Sequence, residues 1–187
     1  DANNINIQAT DNITLVNSGS QIGSNINFGG RGNSGNIDLT TSTLTLGDSG
    51  LISASSFVAS NGGDININVD NLKINNGGVI STFSGIISND ELDLGRGIAG
   101  ELNIQAANSV EISGQNSGLL TSFLGLGNSG DISLKTNNLL LKDGGVILSS
   151  AVDLSSLFDI LPDDFDLTPF LDLISLDPSL DDTAVEF

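Results

Sequence analysis

Five polar residues recur at the same place in a repeated phrase, and three of them are carboxylates. Asn4, Asn36, Asp64, Glu101 and Asp131 each precede an alternating apolar pair, as in Asp64-Ile65-Asn66-Ile67. Stacked as neighbouring strands, about 4.8 Å apart, the phrases would place the carboxylates in one column. Such a column could hold Ca²⁺, which prefers oxygen ligands, or act as a glycosidase carboxylate pair. The explanation we favour is that short polar side chains at corners accept hydrogen bonds from backbone N–H groups. A calcium site at Asp64, Glu101 and Asp131 is the second hypothesis, and catalysis the third.

Composition excludes most catalytic chemistry. The chain has no His, Cys, Met, Trp or Tyr. Without histidine there is no Ser-His or Cys-His pair and little basis for a transition-metal site. Without cysteine there is no disulfide framework and no thiolate zinc site. We therefore expect no catalytic residues and no cofactor, with calcium at the three carboxylates as the remaining alternative.

Negative charge is concentrated at one end of the chain. The formal net charge is −18, and residues 151–187 contain ten of the 23 acidic residues and none of the five basic ones. Nucleic acid is not an expected partner, because its binding requires cationic groups that neutralise phosphates. Anionic membrane surfaces are disfavoured for the same reason. No run of 18 apolar residues occurs, so no membrane insertion is expected.

The phrase that contains the carboxylates repeats with a period near 30 residues. Its first apolar residues are separated by steps of 32, 28, 37 and 30 positions. A period of this length is typical of repeat architectures, in which one unit cannot bury its apolar face alone and stacking forms the core. The first apolar residues are Ile5, Ile37, Ile65, Leu102 and Ile132.

Each repeat unit is predicted to form three short strands. In one unit these are Ile65/Ile67, Leu72/Ile74 and Val79-Ile80, the last after the turn Gly77-Gly78. The first two strands alternate apolar and polar residues, so one side of each faces inward. We predict an all-β fold, a right-handed parallel β-helix of about five coils over residues 1–150, with an insertion at 84–99. Two inward columns are predicted, one of the five first apolar residues and one of Leu15, Leu46, Ile74, Ile112 and Leu141.

One phenylalanine follows a hydroxyl residue in three of the units. The pairs are Ser56-Phe57, Thr82-Phe83 and Ser122-Phe123, and Phe28 is a looser match. The spacing predicts a stacked aromatic ladder. A sugar-stacking platform is one reading of that ladder, but packing is the explanation we favour, because Phe buries a large apolar area.

Residues 151–187 depart from the repeat and form an acidic C-terminal region. Leu154, Leu157, Phe158 and Leu161 have helical spacing, and Pro162 ends that pattern. We expect a short helix that packs on the final coil near Leu140 and Leu148 and caps its open strand edges, which would otherwise invite aggregation. An acidic linker and a docking segment for a partner remain alternatives.

The phrases in units four and five resemble a known family. Asn108-Ser109-Val110-Glu111-Ile112-Ser113-Gly114, Gly127-Asn128-Ser129-Gly130-Asp131-Ile132 and Leu140-Leu141-Lys142-Asp143-Gly144-Gly145 are similar to repeats of the large filamentous-haemagglutinin-like exoproteins of cyanobacteria. The resemblance covers roughly residues 1–150. It implies a right-handed β-helix, secretion through the two-partner pathway and an adhesive or matrix role at the cell surface. It brings no catalytic residues.

These observations lead to one principal functional hypothesis and two alternatives. We expect a segment of a secreted surface exoprotein, a structural and adhesive β-helix located outside the cell or on the bacterial cell surface. Its partners would be cell-surface or matrix components, polysaccharide among them, or neighbouring copies of itself. The first alternative is a β-helix polysaccharide lyase or glycosidase. The second is a self-assembling subunit of an extracellular matrix fibre, in which rods stack end to end.

Overall fold

The computed structural model describes residues 1–85, 97–125 and 127–152, and these ranges are all-β, with no helix. The apolar positions that predict a helix in residues 154–161 lie outside the described residues, as does most of the predicted insertion. The strands are β1 Ile5–Gln8, β2 Asn12–Leu15, β3 Gln21–Gly23, β4 Ile37–Leu46, β5 Leu51–Ser53, β6 Ile65–Asn75, β7 Val79–Gly85, β8 Leu102–Ser113, β9 Gly118–Leu124, β10 Ile132–Lys142 and β11 Val146–Val152.

The strands form two parallel sheets, between which the chain alternates. The first sheet has the order β1-β4-β6-β8-β10, with β2 also paired to β4, and the second has the order β3-β5-β7-β9-β11. Every pairing between these strands is parallel. Each repeat unit therefore places strands in both sheets and lies against the units before and after it. The predicted all-β class and parallel pairing are confirmed.

The two predicted inward columns are present. Ile65 is paired in register with Ile37 on one side and Leu102 on the other, and all three are fully buried. Ile74 lies in the same way between Leu46 and Ile112, again with no exposed surface. The alternation of apolar and polar residues places every second side chain of these strands in the space between the sheets. The end members Ile5, Ile132 and Leu141 keep the register but are only partly covered.

The prediction of three strands per unit is wrong for most units. The first two predicted strands form one long strand in β4, β6, β8 and β10, and only the first unit keeps β1 and β2 apart. At the predicted boundary between the first two strands the pairing is irregular, between Val69 and Asn71 and again between Thr136 and Asn138. Backbone pairing resumes directly beyond it, so a bulge that bends the strand replaces the expected corner.

Left-handed backbone forms the corners between the two sheets. Asp48, Asn76 and Asp143 occupy equivalent positions with φ of 51°, 47° and 54°. Asn and Asp tolerate this conformation because their short side chains bond locally, and a following Gly77 or Gly144 continues it without steric cost. These residues therefore form one recurring corner of the repeat.

One extra residue in a corner shifts β9 by one position. Four residues separate Ser113 from Gly118, whereas three separate Asn75 from Val79. Phe83 consequently pairs in register with Ser122, and not with Phe123 as the matching hydroxyl-Phe pairs of the sequence predict. The predicted equivalence of Thr82-Phe83 and Ser122-Phe123 is therefore wrong.

A column of glycines lets successive units approach closely. Gly63 stacks on Gly35, and Gly100 on Gly63, so that a Cβ on either residue would overlap the carbonyl oxygen of the glycine before it. Buried hydroxyl groups satisfy the carbonyls of this column. Thr82 Oγ1 donates to the Gly100 carbonyl at 2.5 Å, and Thr121 Oγ1 donates to the Gly130 carbonyl at 2.6 Å. The recurring glycine of the phrase is therefore required by contact between the units.

Candidate functional site

The polar residues before the first strand form a ladder of hydrogen bonds between units. The backbone N–H of Asn36 donates to Asn4 Oδ1 at 2.8 Å, and that of Asp64 donates to Asn36 Oδ1 at 2.9 Å. The N–H of Glu101 donates in turn to Asp64 Oδ1 at 2.9 Å. Each side chain therefore satisfies a backbone donor of the next unit. The favoured explanation of this column is confirmed for Asn4, Asn36 and Asp64.

The later members of the column are exposed carboxylates. Glu101 Oε2 accepts a weak hydrogen bond from the Asn103 amide at 3.4 Å, and Asp131 lies on the last described unit. Within residues 1–85, 97–125 and 127–152, no three acidic side chains come close enough together to hold a metal ion. Calcium binding at Asp64, Glu101 and Asp131 stays a prediction, and Asp64 would have to keep or exchange its bond to the Glu101 N–H.

A second ladder runs three residues upstream, and the sequence analysis missed it. The Asn33 N–H donates to Asp1 Oδ1 at 2.7 Å, and the Asn61 N–H donates to Asn33 Oδ1 at 3.0 Å. The N–H of Ile98 continues the ladder with a bond to Asn61 Oδ1 at 3.0 Å. The signal was present in the printed sequence, because Asp1, Asn33 and Asn61 each lie three positions before a member of the first column.

A third ladder joins side chains on the outer face of the first sheet. The Asn66 amide donates to Asp38 Oδ1 at 2.9 Å, and the Asn103 amide donates to Asn66 Oδ1 at 3.2 Å. These residues occupy one register position of β4, β6 and β8. Side chains stacked at the strand spacing can hydrogen-bond along the stack, which is why this column is rich in Asn.

An ion pair links the last two units. Lys142 Nζ lies 2.8 Å from Glu111 Oε1, and both side chains are partly exposed. The hydrogen bond and charge of Lys142 lower the pKa of the Glu111 carboxyl, and Glu111 in turn raises the pKa of Lys142. Lys73 is paired in register with Glu111, but the ion pair is made by Lys142, which lies diagonally across from Glu111.

The phenylalanines form a short stack whose members differ in exposure. The ring centroids of Phe28 and Phe57 are 5.9 Å apart, and those of Phe57 and Phe83 are 5.3 Å apart. Phe83 and Phe123 are buried, and Phe28 is 50% exposed. A sugar-stacking platform needs several accessible ring faces, so this geometry favours packing.

One shallow groove lies where the long strands bend. Its walls contain a single carboxylate, that of Asp70, and its floor includes Thr41, whose hydroxyl has no hydrogen-bond partner among the described residues. The groove does not bring together two carboxylates with a Lys or Arg, the set that a polysaccharide lyase or glycosidase would use. The lining residues are Ala9, Thr10, Thr40, Thr41, Ser42, Asn68, Val69 and Asp70.

Comparison with protein-family models, with curated proteins and with solved structures finds no match to this chain. No helix among the described residues is long and apolar enough to cross a membrane.

Proposed function

We propose that this chain is a segment of a secreted surface exoprotein, a right-handed parallel β-helix of about five coils with a structural and adhesive role. The observation that carries the proposal is that the polar columns form hydrogen bonds between neighbouring units. Asn4, Asn36 and Asp64 accept backbone N–H groups of the next unit, and Asp38 and Asn66 accept side-chain amides. These recurring polar groups are engaged in holding the units together, as a stalk requires, whereas the carboxylates of Glu101 and Asp131 are exposed.

The resemblance of the repeats to filamentous-haemagglutinin-like exoproteins supports an extracellular or cell-surface location. The absence of cysteine is compatible with export in an unfolded state, because no disulfide has to form. No cofactor and no catalytic residue form part of the proposed function. Nucleic acid and membrane insertion are likewise left out of it, in view of the strong negative charge and the lack of a long apolar run.

The outer face of the first sheet is the surface we propose for adhesion. One of its columns is exposed in every unit and consists of hydroxyl, amide and ammonium side chains at the strand spacing of about 4.8 Å. A regular row of donors and acceptors suits an extended ligand that repeats its own hydroxyl groups, and a polysaccharide of the cell surface or matrix has that chemistry. The column is Gln8, Thr40, Asn68, Gln105 and Lys135.

Binding to immobilised extracellular polysaccharides tests this assignment. The double variant Asn68→Ala/Gln105→Ala should weaken binding at least about fivefold, because it removes two central members of the column. The control variant Gln21→Ala/Gln115→Ala, with both changes on exposed residues away from this face, should bind as the unaltered chain does. Equal loss in both variants, or no binding by the unaltered chain, would remove the adhesive assignment.

The enzyme alternative is tested separately. Pectin, alginate and other uronic-acid polymers should show no turnover, with or without added calcium. Reproducible cleavage that disappears in Asp131→Asn would reverse the ranking and make this chain an enzyme. Cleavage that persists in Asp131→Asn would point to a contaminant or to another residue.

A further inference from the structure

The last described unit exposes leucine on its outer side, where most earlier positions of the same columns are polar residues or glycine. Leu140 occupies an outward column of β10 and is 48% exposed, and Leu148 occupies an outward column of β11 and is 50% exposed. The positions that precede Leu140 in its column are Thr14, Thr45, Lys73 and Glu111, and those that precede Leu148 are Gly23, Ser53, Ser81 and Leu120.

The inward side of the same unit is also uncovered. Leu139 and Leu141 are 48% and 43% exposed, whereas Val110 and Ile112, one unit earlier in the same columns, are 1% and 0% exposed. One more stacked unit would cover these inward residues. It would leave outward Leu140 largely in water, because Lys73 in the same column stays exposed although a unit is stacked on each side of it. Whatever covers this end must therefore also wrap around its outer side.

The chain itself supplies an apolar segment at this place. It leaves β11 at Val152, four residues beyond Leu148, and 35 residues follow. The first of them include Leu154, Leu157, Phe158 and Leu161. Because an extended chain advances about 3.3 Å per residue, these apolar residues can reach both Leu148 and the neighbouring β10.

The uncovered end offers the acidic segment one unpaired cation. Residues 153–187 contain ten acidic residues and no basic one. Lys135 and Lys142, two of the five basic residues of the chain, lie on β10 at the uncovered end. Lys142 is paired with Glu111, and Lys135 has no ion-pair partner among the described residues. The segment therefore complements this end in apolar surface, and Lys135 offers one unpaired ammonium group to its carboxylates.

We propose that residues 153–187 fold back over the last described unit, with apolar side chains of residues 154–161 covering Leu139, Leu140 and Leu148 and with carboxylates directed towards Lys135. The segment would then act as a cap, which repeat arrays require at their ends because a terminal unit has no neighbour on one side. The proposal depends on β10, β11 and the composition of the segment, and it shares with the adhesive role only Lys135, the last member of the adhesive column.

Hydrogen exchange of the full chain tests the cap. Leu157→Asp/Phe158→Asp should speed amide exchange in β10 and β11 by roughly tenfold or more, because an uncovered terminal unit opens more readily. Ser155→Asp/Ser156→Asp adds the same charge to the same stretch and keeps all four apolar residues, so exchange should stay within about twofold of the unaltered chain. Similar exchange in all three proteins, or equal acceleration in both variants, would overturn the proposal.

Cross-linking provides a second measurement that does not depend on disruptive changes. The chain contains no cysteine, so a disulfide can form only between the two introduced cysteines. Leu140→Cys/Phe158→Cys should form a disulfide within one chain. Thr45→Cys/Phe158→Cys should not, because Thr45 lies in the same outward column three units away. Cross-links between chains would show that a second copy covers the face, and equal intrachain yields would show an undocked segment; either result rejects the cap.

Discussion

The inward column through Ile65 yields a prediction whose magnitude follows from the structure. Ile65→Ala and Ile5→Ala make the same chemical change at two positions of one column. Ile65 is fully buried between Ile37 and Leu102, whereas Ile5 is partly exposed and has a neighbour, Ile37, on one side only among the described residues. The comparison therefore isolates the contribution of stacking.

Ile65→Ala should lower the free energy of unfolding severalfold more than Ile5→Ala does. Ile65→Ala removes apolar groups worth about 2.5 kcal/mol of transfer free energy and leaves a cavity that is closed on both sides, so we expect a loss of about 4 kcal/mol. At Ile5 about half of the transfer term is lost and the space is open to water, which gives about 1 kcal/mol. The expected difference is about 3 kcal/mol.

Urea unfolding followed by circular dichroism measures the difference. With a slope of about 2 kcal/mol per molar urea for a chain of this size, the midpoints of the two variants should differ by about 1.5 M. The comparison is valid if the dependence of the unfolding free energy on urea concentration has the same slope, within error, in both variants and in the unaltered chain. If the two variants lose the same free energy of unfolding within about 0.5 kcal/mol, the stacked column is refuted, because equal losses would mean that Ile5 and Ile65 are equally buried.

Three further predictions concern the contacts between units. Gly100→Ala should destabilise the chain by about 3 kcal/mol in urea unfolding, because the added Cβ overlaps the backbone carbonyl of Gly63 and one of the two backbone segments must shift to relieve the overlap. Asp64→Ala should cost about 1 kcal/mol through loss of the acceptor for the Glu101 N–H, whereas Asp64→Asn keeps an acceptor and should change stability by less than about 0.5 kcal/mol. Lys142→Met should raise the pKa of Glu111, followed by NMR titration. The pKa of Glu111 is lower in the folded state than in the unfolded state. The ion pair therefore contributes to folding stability at pH values above the unfolded-state pKa, and this contribution is lost as the pH falls through the folded-state pKa. An unchanged Glu111 titration, equal cost of the two Asp64 variants or a neutral Gly100→Ala would each contradict its part of this account.

The polar columns illustrate how far residue type alone can be interpreted. Asp64, Glu101 and Asp131 have the chemistry of a calcium or glycosidase site, and their recurrence at one position of the repeat predicts that they stack. The residues that follow them are paired in register, but the Asp64 oxygen accepts a backbone N–H of the next unit, and no three acidic side chains among the described residues come close enough together to hold a metal ion. In a stack of parallel strands, an acceptor at a corner faces a donor about 4.8 Å along the axis, so a repeated carboxylate is first of all a device for joining units.

The sequence by itself determined the class of the fold and the register of its core. A repeat near 30 residues, period-two alternation and recurrent glycine turns predicted parallel stacking, because inward positions must match inward positions when a unit has no core of its own. The columns through Ile65 and Ile74 were predicted residue by residue for this reason. The Asn and Asp corners were predictable as well, since few residue types tolerate left-handed backbone.

Only the tertiary structure decided where matching phrases lose register and which contacts they make. One additional residue in the corner after Ser113 shifts Phe123 away from Phe83, although their phrases look alike. The bend after Val69 became a bulge within a continuous strand, since pairing with both neighbours continues across it. Lys142 took the ion pair with Glu111 from the diagonal position. These outcomes depend on distances between units, and local sequence does not encode a distance to residues some 30 positions away.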